Sequence, residues 1–208
     1  MTGSDEKMKK IKQTAFHFFL EIGYEATTIR MICKAIGIES PTLYYFFKSK
    51  KGLFLDIRNE LEEEYRKQVI ELSLDNEKTP EDALKKYYKF CIQYAISNPD
   101  KTRFYLRHHL FRPVELKDEI EECIQNTTEE KRQLCAKYLK TCIASKNIDY
   151  SADEMFEKYS NFIDNSTFNI IFSNWQPTEE EVNRAWHLFY NHYFKKKDTI
   201  SGELVNRL

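Results

Sequence analysis

Residues 27–54 read TTIRMICKAIGIESPTLYYFFKSKKGLF, and the fold follows from this stretch. Ile29, Ile32, Cys33 and Ile36 recur at three- and four-residue spacing, which places them on one side of a helix about two turns long. Thr28 stands in front of them as a cap and Gly37 ends the run. After Gly37-Ile38-Glu39, Ser40 offers a cap-like hydroxyl and Pro41 occupies the first helical position, where its missing N–H costs nothing. In the short helix that follows, Leu43, Phe46 and Phe47 point one way. Ser40, Pro41, Thr42, Tyr44 and Tyr45 lie on or near the other. Ser49 caps a longer helix in which Leu53, Ile57, Leu61, Tyr65 and Val69 keep helical period toward Leu72.

Upstream, Met8, Ile11, Ala15, Phe18, Phe19 and Ile22 define one face of a first helix, and Gly23 supplies a left-handed stop. A helix followed by two short helices across a tight glycine turn is the helix-turn-helix plan, in which the last helix enters the major groove of DNA. The charge distribution agrees. Residues 1–51 hold nine Lys or Arg against five Asp or Glu, +4, leaving 23 against 28, or −5, for the remainder. A basic head on an acidic body suits an anionic polymer at one end.

The rest of the chain reads as further helices. Thr79-Pro80-Glu81-Asp82 opens one that Asn98-Pro99 closes, and another spans roughly Asp100 to Phe111. A long one runs from near Glu115 to about Ser145. Two capping boxes, Ser151 with Glu154 and Thr178 with Glu181, open the last two, about Ala152 to Ser173 and Glu179 to Lys196. The tail 198–208 reads as frayed. With 5 Gly and 5 Pro in 208 residues and no convincing strand pattern, the expected fold is all-α with about nine helices. It divides into a helix-turn-helix domain over 1–50 and a larger helical domain over 51–208.

Several function classes lose support. No apolar run approaches the roughly 18 residues of a membrane span, and the amino terminus lacks a basic-then-apolar signal pattern. A soluble, cytoplasmic protein is expected. Cys33, Cys91, Cys123, Cys135 and Cys142 are scattered, with no C-x-x-C pair, and read as reduced core or interface residues. His108 and His109 are adjacent on a helix and point about 100° apart, which prevents joint metal binding. No nucleophile constellation, acid pair or phosphate loop is visible, so no catalytic residue, metal or cofactor is expected.

The quoted stretch resembles the signature of the tetracycline-repressor (TetR) family, with its T-x-x-x-I/L-x-x-x-x-G-V core, its P-T-L-Y helix and its F-x-x-K-x-L-style continuation. The resemblance implies a dimeric transcription regulator binding a double-stranded, palindromic operator. It implies phosphate contacts for Thr28, Lys50 and Lys48, a base or phosphate contact for Arg30, base-edge contacts for Ser40, Pro41 and Thr42, and backbone contacts for Tyr44 and Tyr45. Capping accounts for Thr28 and Ser40 singly, and ordinary solvation for the lysines. Two adjacent tyrosines on the outer side of a short helix need more than that.

For the body, the resemblance implies a ligand cavity and a dimer interface built from the last two helices. The aromatic content suggests a flat or cationic organic effector, with Tyr88, Cys91, Tyr94, Phe104, Tyr105, Phe111 and Phe162 as lining residues, although aromatics at helical spacing equally build plain core. Ile163, Ile170, Phe172, Trp186, Phe189, Tyr190 and Tyr193 are the expected interface. The functional expectation is a repressor released from its operator by a small molecule. The alternative is a DNA-binding regulator whose carboxy-terminal domain binds a protein partner and no small ligand.

Overall fold

Backbone capping sets the frame of the computed structural model, which describes residues 3–195. Ten α-helices follow in order: α1 (Gly3–Glu21), α2 (Gly23–Ala26), α3 (Ile29–Ile36), α4 (Ser40–Phe47), α5 (Lys50–Glu71), α6 (Pro80–Ser97), α7 (Pro99–Leu110), α8 (Lys117–Lys146), α9 (Ala152–Phe172) and α10 (Glu179–Phe194). Two 3-10 turns, Leu74–Asn76 and Val114–Leu116, join them, and no strand occurs among the described residues. The side chains of Thr28, Ser49 and Thr79 accept from the backbone N–H groups of Met31, Gly52 and Asp82. Both capping boxes are complete, Ser151 with Glu154 and Thr178 with Glu181. Each satisfies two otherwise orphaned donors. The tail 198–208, expected to fray, lies outside the described residues.

Two local expectations change. The sequence predicts only a stop at Gly23, yet α2 follows it at once. Gly23 takes φ 85°, and the Thr27 hydroxyl donates to the Gly23 carbonyl at 2.7 Å, which closes one extra turn. Ser40 is helical rather than a cap. Glu39 holds the capping position with extended backbone and no side-chain bond. Pro41 is therefore one residue further in, still within the turn whose N–H groups have no intrahelical partner.

Packing produces two apolar clusters. The first gathers Ile11, Phe19, Tyr24, Ile32, Leu43 and Phe54 from the amino-terminal helices, but it also takes in Phe104 of α7, Leu116, and Ile120 of α8. The second joins α6, α8, α9 and α10 around Tyr87, Tyr159 and Trp186. A boundary at residue 50 therefore cuts through a continuous core. The head is completed by the first half of α5 and by side chains contributed from the body.

The last helix corrects the expected interface. Trp186 is fully buried, and Phe189 and Tyr190 are 7% and 6% exposed within one subunit. Ile163 and Ile170 are buried as well, and Tyr193 is half-buried. The Phe189 ring stacks on Phe162 at 4.5 Å, and Trp186 stacks on Tyr88 at 6.1 Å. Helical period shows that a face is apolar but not which neighbour covers it, and here the subunit's own α6 and α9 do so. Of the expected residues Phe172 is exposed, at 52%, as are Phe168 at 43% and Leu188 at 68%. No helix among the described residues is long and apolar enough to cross a membrane.

Candidate nucleic-acid interface and body cavity

The face of α4 is set by two buried anchors. Leu43 is fully buried and Phe47 nearly so, which turns Pro41, Tyr44 and Tyr45 outward. Tyr45 is 82% exposed, with its ring edge-on to Phe46 at 5.2 Å, and Tyr44 is 47% exposed. Ser40 and Thr42 are half-buried beside them. Thr28 and Arg30 are exposed at the start of α3. The Thr28 oxygen accepts from Met31 N at 3.2 Å, so its O–H remains able to donate outward. Gly37, at φ 72°, makes the turn between α3 and α4 and has open space where a Cβ would stand. Its requirement is conformational.

Gly52 is required for the opposite reason. A Cβ there would lie 2.5 Å from the Phe47 carbonyl oxygen, because the chain between α4 and α5 turns back tightly. That turn leaves Lys48 exposed, at φ 57°. Lys50 differs from Lys48. Its ammonium donates to the Tyr24 carbonyl at 3.0 Å and the Thr27 carbonyl at 3.2 Å, 4.1 Å from the centre of the Tyr24 ring. The residue expected at phosphate thus holds the end of α2 against α5.

One residue enters that composition alone did not single out. Lys7, with Gly3 and Ser4, borders a shallow depression whose other wall is Pro41, Thr42, Tyr45 and Phe46. The Lys7, Lys9 and Lys10 run was visible only as net charge, since nothing local says that the start of α1 lies beside α4.

Behind the head, α7 carries groups that face both ways. Phe104 is 1% exposed and stacks on Phe16 at 5.1 Å and on Phe54 at 5.5 Å. One turn later, the His108 Nδ1–H donates to the Phe104 carbonyl at 2.8 Å, and the ring lies 4.8 Å from Phe54. Burial, opposed by that hydrogen bond and reinforced by nearby Arg107 and Arg58, brings the His108 pKa down to about 4. The Arg107 guanidinium lies over Gly23, where a Cβ would come within 2.8 Å of it.

On the body side of α7 is a cavity of about 390 Å³, within the usual range for small-ligand pockets, roughly 300–1,000 Å³. Of the residues expected there, Cys91, Tyr94, Phe104 and Tyr105 line it. Tyr88 and Phe162 instead pack on each other at 4.5 Å, and Phe111, 75% exposed, lies past the end of α7. Tyr65, Tyr87, Ile163, Val69 and Leu134 also line it. The Tyr65 hydroxyl is 3.4 Å from that of Tyr87 and 3.5 Å from the Cys91 sulfur. Burial raises both tyrosine pKa values well above normal, so both hydroxyls are neutral. Arg58 Nε lies 2.9 Å from Glu62, close enough to pair though not aligned as a hydrogen bond. Burial raises the Glu62 pKa against the pull of that arginine.

Comparison with known proteins places these features. Residues 11–57 match the family model described as bacterial regulatory proteins, tetR family. The HTH-type transcriptional regulator RutR of Escherichia coli O157:H7 is 23% identical over 141 residues, 65% of this chain and 63% of the relative. The HTH-type transcriptional regulator QacR of Staphylococcus aureus is 35% identical over 94 residues, 42% of this chain and 50% of the relative. The matched part therefore spans less than two thirds of each of these relatives. Among solved structures, NalD, the secondary repressor of the MexAB-OprM multidrug efflux pump in Pseudomonas aeruginosa, superposes with a TM-score of 0.70 at 17% identity, covering 94% of this chain and all of that one. That match shows a common fold along almost the whole chain. The family model is seated on α1, α3, α4 and the start of α5, so the amino-terminal part of the chain is similar to the tetR family of bacterial regulatory proteins.

Proposed function

We propose that this protein is a homodimeric DNA-binding transcription repressor that a small organic molecule, bound in the body cavity, releases from a palindromic operator. The observation that carries the ligand response is the double placement of Phe104. One ring is both a wall of the cavity and part of the core that fixes the head. A ligand that displaces α7 must repack Phe16 and Phe54, and the Arg107 contact with Gly23 moves with it. A coupling of about 1–3 kcal/mol through this helix changes operator affinity roughly five- to 150-fold.

The DNA-contacting face comprises Thr28 and Arg30 on the α3 side and Ser40, Pro41, Thr42, Tyr44 and Tyr45 on α4, with Lys48 and Lys7 at its edges. Base edges are read by Ser40, Pro41 and Thr42, and phosphates are met by the remainder. Dimerisation uses the exposed sides of α9 and α10. Selection of bound duplexes from a random library tests the reading. A palindrome with half-site centres one helical turn or a multiple apart is expected. Tyr45→Ala should weaken binding to the selected site at least tenfold, and Thr42→Ala should also change the preferred bases. Enrichment of no sequence, or of a single asymmetric half-site, would count against a dimeric reader. The alternative, a body that binds a protein partner and no small ligand, predicts a filled interior, and the cavity behind α7 speaks for the ligand instead.

A further inference from the structure

We propose that the ligand of the body cavity is an organic anion, a carboxylate carried on an apolar or aromatic body, and that the Lys131 ammonium is its charge partner. The proposal rests on the reading of this cavity as a ligand site and goes on to specify what the site selects.

It follows from the charges that line the cavity and their pairing. Glu62 lies against Arg58 at 2.9 Å. Glu130 accepts from Arg66 twice, at 3.2 Å from Nε and 3.0 Å from Nη2. Lys101 is bound to Glu64 at 2.5 Å. Two charged residues of the wall remain, Lys131 on α8 and Asp164 on α9. Asp164 is exposed. Lys131 makes no hydrogen bond or ion pair among the described residues, and Asp164 acts on it only at longer range. Lys131 is half-buried at the cavity wall, and a carboxylate bound in the cavity would supply the direct counter-charge it lacks.

The surroundings of Lys131 keep it charged. Burial acts against the ammonium, but Tyr105, Asp164, Cys91 and Cys135 together outweigh it, and the pKa stands above the ordinary lysine value. Apart from the paired charges and Asp164, the rest of the wall is apolar or neutral. Val69, Leu134 and Ile163 offer aliphatic surface, and Tyr65 and Tyr87 offer uncharged hydroxyls that can donate to a second carboxylate oxygen. A lipophilic cation fits the same walls less well. Glu62 and Glu130 already face arginines, and the cation would have to lie beside the Lys131 ammonium, which has no direct ion-pair partner among the described residues.

Isothermal titration of the full-length protein with two matched series separates the possibilities. One series is decanoate, decanol and decyltrimethylammonium. The other is naphthylacetate, naphthylethanol and naphthylethylammonium. In at least one series the carboxylate should bind about tenfold or more tightly than the alcohol, and the ammonium compound should bind weakest. Lys131→Met should abolish the preference for the carboxylate while leaving alcohol affinity unchanged, and Lys131→Arg should preserve it. Tighter binding of the ammonium compounds, equal binding within both series, or a preference that persists in Lys131→Met overturns the assignment of charge while leaving a ligand site intact. Binding of none of the six compounds overturns the ligand-site reading itself. Should Lys131→Met fail to fold, the order of affinities in the unmodified protein and the Lys131→Arg result decide the matter.

Discussion

Lys50 shows how a residue's chemistry and its position can suggest different uses. A lysine at the start of a helix next to a recognition helix is well placed for phosphate. Here two of its three donors instead turn back onto the carbonyls of Tyr24 and Thr27, where they reinforce the end of a four-residue helix. Lys50→Met should lower stability to urea by about 1–3 kcal/mol, the scale for leaving half-buried acceptors without a charged donor. The salt dependence of DNA binding should be unchanged. A slope smaller by about one unit would restore the phosphate contact. Gly52 belongs at this scale too. Nothing in its neighbours' sequence tells that a Cβ would meet the Phe47 carbonyl.

At the scale of the element, α7 is the helix through which the body reaches the head. In its sequence, PDKTRFYLRHHL, only Phe104 and His108 are buried. His108 supplies a measurable property of this packing. Its folded pKa, about 4, lies below the ordinary histidine value near 6.5, so the unfolded chain binds the extra proton first as pH falls. The contribution of neutral His108 is therefore complete above about pH 6.5 and is lost progressively toward pH 4, amounting to about 3 kcal/mol. The His109 pKa is lowered as well, by burial first and by Arg112 next, and acts in the same direction. Urea unfolding between pH 7 and 4 should show this slope, and His108→Gln should flatten it. An unchanged slope in the variant would place the effect in other groups.

For the whole molecule, the apolar surface left over after folding differs from the surface that periodicity marks out. Trp186, Phe189 and Tyr190 fill the subunit's own core. Phe168 and Phe172, with ring centres 4.4 Å apart, and Leu188 remain exposed on α9 and α10. If these sides join two copies, Leu188→Glu should convert the dimer to a monomer in sedimentation experiments. Affinity for a two-half-site duplex should then fall at least tenfold, with each head still folded. A variant that sediments as a dimer would move the interface elsewhere. The same molecule-wide view explains why a head bounded at residue 50 is incomplete: Phe104, Leu116 and Ile120 enter its core from 50 or more residues downstream.

The sequence by itself determined the helices other than α2, most of their caps, the glycine turn at Gly37 and the outward side of α4. Each of these depends on residues within a few positions of one another, where backbone hydrogen bonding and helical period act directly. Thr28, Ser49, Ser151 and Thr178 cap as their spacing dictates. Tertiary structure alone decided the partners of each apolar face. It put Tyr88 and Phe162 into core packing, set Tyr65 and Lys131 beside a cavity, placed Lys7 next to Pro41 and turned Lys50 inward. Such choices depend on contacts between residues tens of positions apart, and a period of 3.6 carries no information about which helix will arrive to make them.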